Sequence, residues 1–77
     1  MGRRAEYPEE LAMRRVFAKR MAQVLAGESR TVVARHLGIS TPMLTHYCDG
    51  ALPGAFVLHA LSCYFQKPME WFVSEEP

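Results

Sequence analysis

Between Ser29 and Asp49 the chain carries two short helix-forming stretches separated by only three residues, Gly38-Ile39-Ser40. So short a connection obliges the two helices to cross steeply and to touch as soon as they have turned. Helices that meet so closely need a small side chain at the contact, and Ala34 supplies one. Gly38, four residues on, supplies the positive φ that the tight turn demands. Val33, Leu37, Ile39, Leu44 and Tyr47 then point inward and fix the angle between the pair. Ser29 is expected to cap the first stretch, about 30–37, and Ser40 the second, about 41–48. Because Pro42 has no N–H, the Ser40 hydroxyl must accept from the amide of Met43.

The rest of the chain reads as helix too. Pro8-Glu9-Glu10 opens a helix predicted over 8–26, since proline loses nothing in a first turn and acids there favour the positive end of the helix dipole. Met13, Phe17, Met21, Val24 and Leu25 recur along it at three-to-four-residue spacing, and Gly27 can take the left-handed conformation that ends it. Asp49 to Gly54 holds two glycines and a proline in six residues and is a loop. A fourth helix follows at about 55–65, with Val57, Leu58, Leu61 and Phe65 available to a core. Pro68 opens a last short helix through Val73 that returns Trp71 and Phe72 to the bundle. The expected fold is all-α, five compact helices in one domain. A flexible basic arm at 1–7 precedes them, the helical pair occupies 30–49, helices 4 and 5 occupy 55–73, and 74–77 form an acidic tail.

With 49% apolar and 22% charged residues, the 77-residue chain has globular composition and is expected to fold. No run approaches the ~18 apolar residues of a membrane span. Met1-Gly2-Arg3-Arg4 leads into charged sequence instead of a signal-peptide core. Cys48 and Cys63 form no close pair and read as reduced thiols, so a cytoplasmic protein is expected. The net charge is only +1, yet residues 1–35 hold eight of the nine basic side chains, whereas residues 36–77 hold Lys67 alone. Such a split can place one basic face on a nearly neutral protein. For Arg14, Arg15, Lys19 and Arg20 the plainer reading is a solvated outer face of the first helix.

The segment from Arg30 to Asp49 resembles the lambda Cro and lambda repressor type of DNA-binding protein, the XRE-like helix-turn-helix family, on Ala34, Gly38 and Leu44 flanked by Val33, Leu37, Ile39 and Tyr47. The likeness runs without a gap to Gly50 and, less specifically, through Pro53 to Pro68-Met69-Glu70-Trp71-Phe72. It departs where Glu28 stands at a usually apolar position and where Arg30 replaces a frequent glutamine. The third helix also lacks the Arg, Lys, Gln and Asn side chains that make the strongest bidentate base contacts. The resemblance implies a lambda-repressor-like domain in which Thr41, Pro42, Thr45 and His46 face the bases. Helical spacing independently puts these four opposite Leu44 and Tyr47. It further implies phosphate contacts from Arg30, Arg35 and Ser40, with Asp49 or the Gly50 backbone close to the sugar-phosphate chain. Readout would then rest on Thr hydroxyl and methyl groups, His46 and DNA shape. The competing reading of Thr41, Thr45 and His46 is that they are simply exposed.

His59 and Cys63 lie four apart, a spacing that can put two ligands on a zinc ion, but nothing in the sequence pairs them into a four-ligand set, and no metal or other cofactor is expected. No phosphate loop, activated nucleophile or apolar carboxylate pair suggests an enzyme. The expected function is a transcriptional regulator, most simply a repressor, binding a short palindromic operator in double-stranded DNA as a homodimer through the last helix and tail. It would belong to a bacterial, phage or plasmid system. The alternative is a protein-interaction module or antitoxin on the same fold, with a toxin or polymerase as partner and Met43, Leu52 and Phe56 as contact surface.

Overall fold

The computed structural model describes residues 7–75, so the expected basic arm lies, but for Tyr7, outside the described residues, as do the last two of the tail. Four α-helices follow one another: α1 over Pro8–Leu25, α2 over Arg30–Leu37, α3 over Thr41–Cys48 and α4 over Ala55–Phe65. A single 3-10 turn over Met69–Phe72 closes the fold, and no strand occurs among the described residues. The protein is all-α.

Local chemistry sets each boundary. Ser29 Oγ accepts from the Val32 amide at 3.3 Å and Ser40 Oγ from the Met43 amide at 3.2 Å, so both caps satisfy an otherwise orphaned donor. Gly38 sits at φ 76°. Its N–H donates to Arg35 O and that of Ile39 to Ala34 O, the paired bonds of a Schellman ending. A Cβ on Gly38 would meet no atom within 4 Å, so substitution there is penalised by backbone conformation alone. Gly38→Ala is therefore expected to cost about 1–2 kcal/mol, read as a lower urea midpoint with an unchanged slope. A loss above about 3 kcal/mol would mean that the turn is held by more than its φ.

The core comprises Phe17, Met21 and Leu25 of α1, Val33, Ala34 and Leu37 of α2, Leu44 of α3, Leu61 of α4 and Phe72. Ile39, Tyr47, Val57, Leu58, Phe65 and Trp71 pack against it half-buried. α1 packs on α3 and on the closing turn, while α2 packs on α3 and α4. Phe17 is the hub, meeting Tyr47 edge-on at 6.4 Å and Phe72 at 6.3 Å.

Three expectations change. The fifth α-helix is instead a 3-10 turn, because Trp71 N donates to Pro68 O and Val73 N to Glu70 O. Both bonds have i→i+3 spacing, and Val73 then leaves helical geometry at φ −122°. Seating Phe72 in the core takes one tight turn, too short for α-helix. Met13 is 37% exposed and outside the core, since the contact one turn before Phe17 falls to Arg14, whose backbone carbonyl faces Gly50. α1 also stops at Leu25, as Ala26 is already extended at ψ 121° and Gly27 turns the chain at φ 80°.

The described start of the tail is bound to α1. Arg20 donates to Trp71 O at 3.0 Å and to Ser74 O at 3.2 Å, and Lys19 pairs with Glu75 at 2.6 Å. The Lys19 hydrogen bond and charge hold the Glu75 carboxyl below its ordinary value. Arg20 and Lys67 stand over the Trp71 ring at 4.5 and 5.0 Å. The surface expected to dimerise is thus already engaged within the chain.

Candidate nucleic-acid interface

α3 is anchored on one side only. Leu44 is fully buried and Tyr47 half-buried, whereas Pro42, Thr45 and His46 are exposed and Thr41 is half-exposed. Residues 41, 42, 45 and 46 share the side away from Leu44, as the 3.6-residue period requires. The helix therefore offers an uncovered face of two hydroxyls, a proline ring and an imidazole on a backbone that its own core contacts immobilise.

Basic groups approach this face from two sides. From the first turn of α2, an Arg30 Nη donates to Thr45 Oγ1 at 3.4 Å, which puts the guanidinium beside the middle of α3. At the other end, Arg14 and Arg15 of α1 share one shallow depression with His46, Asp49 and Gly50. Arg14 also pairs with Glu10 at 2.8 Å. Sequence reasoning missed these two arginines because their relation to His46 depends on how α1 crosses α3. The one available signal was the concentration of basic residues in the first half of the chain.

The remaining residues fall unevenly around this centre. Arg35 is exposed but five residues after Arg30, hence about 140° around α2 from it; the two do not form one cluster. The Ser40 hydroxyl accepts the Met43 amide and retains its own proton for a second partner. Asp49 is exposed, with its N–H spent on the α3 carbonyls of Thr45 and His46. Gly50 is buried at φ 106° with its N–H donated to Tyr47 O. Its contribution is to lay the loop against α1, because that amide already has its acceptor. Val33, Ala34, Leu37 and Leu44 are buried, and Ile39 and Tyr47 are half-buried against them.

Burial raises the Cys48 thiol above its ordinary value; the nearby Arg30 charge opposes this and Asp49 adds to it. The thiol is therefore protonated at neutral pH and is a poor nucleophile. Among the described residues, no three His, Cys, Asp or Glu side chains converge as a metal site, and no helix is long and apolar enough to cross a membrane. No known family, curated protein or solved structure matches the chain.

Proposed function

We propose that the chain is a double-stranded DNA-binding transcriptional regulator, built on a lambda-repressor-like helix-turn-helix in which α2 positions and α3 reads. The observation that carries this is the one-sided anchoring of α3, with Arg30 beside the middle of its uncovered face and Arg14 and Arg15 beside His46 toward its C-terminal end. An α-helix fits the major groove of B-DNA, and arginines flanking it can reach phosphates on either side. In this reading Thr41, Thr45 and His46 touch base edges and Pro42 gives apolar contact. Arg30, Arg14 and Arg15 neutralise backbone charge, Ser40 adds a phosphate hydrogen bond, and Arg35 reaches the backbone only beyond the α3 centre.

Direct readout by this face is sparse, so DNA shape carries part of the specificity. A homodimer on a short palindrome is the assembly that lets so small a module bind well, with two copies of α3 in successive major grooves about 34 Å apart. Repression then follows from occupying a promoter, in the cytoplasm of a bacterium or of a cell carrying a phage or plasmid, with binding and no catalysis as the activity. A second reading, in which the domain serves a protein partner such as a toxin, is favoured by exposed apolar side chains. Met43 on α3 is 43% exposed and Phe56 80%.

The two readings separate in a salt titration. Binding to duplex DNA should weaken linearly in log–log form as salt rises, with a slope of about −0.9 per phosphate neutralised. Arg30→Ala should make that slope shallower by about one unit. Fluorescence anisotropy over a range of KCl concentrations measures it; an unchanged slope would remove Arg30 from the interface.

A further inference from the structure

One face of α4 takes no part in the proposed DNA surface and carries a pair of metal-ligating atoms. His59 Nε2 and Cys63 Sγ lie 3.5 Å apart, and both residues are exposed. In a tetrahedral zinc site, a thiolate sulfur at about 2.3 Å and an imidazole nitrogen at about 2.0–2.1 Å from the ion are separated by about 3.6 Å. The pair is therefore spaced as one edge of such a tetrahedron. Without metal, the same distance suits a weak contact between thiol and imidazole.

Two ligands make half a structural zinc sphere, and among the described residues no third His, Cys, Asp or Glu converges to extend it. A second copy of the chain would supply the other half with the same two atoms. Phe56, His59 and Cys63 fall within about 60° of one another around α4 and form an exposed stripe on which Phe56 is 80% uncovered. α4, AFVLHALSCYF, contains no Asp, Glu, Lys or Arg, so no charge on the helix itself repels an identical helix. In a two-fold interface the same patch meets itself.

We infer that α4 is a zinc-dependent self-association surface: two copies of the chain share one zinc ion, each contributing His59 Nε2 and Cys63 Sγ. The site is Cys2His2, a closed four-coordinate set of the kind that structural zinc takes. Both thiols lose their protons on binding, so two protons are released per ion and two thiolates balance the Zn2+ charge. Phe56 flanks the ion from both copies and is covered by the same contact. This surface replaces the closing turn and tail as the place where copies meet, and it is independent of what α3 binds.

The test uses the full chain kept reduced with a phosphine, so that a Cys63 disulfide cannot mimic the result. Zn2+ is added at one equivalent per two chains, loosely bound metal is removed by desalting, and metal content and mass are read by elemental analysis and light scattering. The expected result is one retained zinc per two chains and a particle of twice the 8.7 kDa chain mass, both reversed by EDTA. Cys63→Ser and His59→Ala should each abolish retention with the helical circular dichroism unchanged, whereas Cys48→Ala should retain zinc. Co2+ in place of Zn2+ should give the visible bands of a tetrahedral sulfur–nitrogen site. No retained zinc, one zinc per single chain, or retention that survives Cys63→Ser would each overturn the proposal.

Discussion

Phe17→Ala is expected to destabilise the chain by about 3–5 kcal/mol, the range for truncating a fully buried phenylalanine. Phe17 is entirely buried, and its ring joins α1 to Tyr47 on α3 and to Phe72 on the closing turn. No other side chain ties those three elements through aromatic contact among the described residues. A domain of this size has a total stability of about 4–12 kcal/mol, so the loss is a large share of the total and brings the variant to the edge of unfolding where the parent lies at the lower end of that range. Urea unfolding followed by circular dichroism and by Trp71 fluorescence checks this. Phe56→Ala, measured with chelator present, should change stability by less than about 0.5 kcal/mol, because that ring is already in solvent. A loss below 1 kcal/mol for Phe17→Ala would mean that the core closes around the cavity or is organised differently.

The second large effect concerns the uncovered face of α3. The double variant Thr45→Ala with His46→Ala should lose about 1–3 kcal/mol of binding to a preferred duplex, roughly a 5- to 150-fold weaker Kd. Its fold should survive, since both side chains are exposed and the α3 anchors, Leu44 and Tyr47, are untouched. The loss has two sources. Base-edge contacts disappear, and Arg30 loses the Thr45 hydroxyl to which it donates, so its guanidinium is less well positioned for a phosphate. Combining the double variant with Arg30→Ala should therefore cost less than the sum of the separate losses. Binding within two-fold of the parent would leave α3 without a role in recognition.

What could be read from the sequence was chiefly what is local in the chain. The Ser29 and Ser40 caps, the left-handed Gly38 and the glycine-rich loop depend on a few consecutive residues, and the 3.6-residue pattern placed Phe17, Met21, Val33, Leu37, Leu44 and Leu61 correctly inside. Met13 was misassigned because periodicity describes a face and does not say where along the helix the neighbours begin. The ties from Arg20 and Lys19 to the tail span more than fifty residues and have no sequence pattern. Arg14 and Arg15 likewise read as solvated charges in the sequence, because only the crossing of α1 over α3 brings them beside His46. The exposure of Thr45 and His46 was legible from helical phase, whereas their juxtaposition with Arg30 was not. His59 and Cys63 stand out by spacing, but only the 3.5 Å between their ligating atoms matches one edge of a tetrahedral zinc site.

The central claim, that the α3 face binds double-stranded DNA with sequence preference, is tested most directly by selecting bound duplexes from a random library and titrating the enriched sequence with salt. The account predicts a short palindromic consensus whose affinity falls steeply as salt rises. If no sequence is enriched and every duplex binds more weakly than about 10⁻⁴ M at physiological salt, weaker than ordinary non-specific binding, the claim is contradicted and the exposed face belongs to a protein partner.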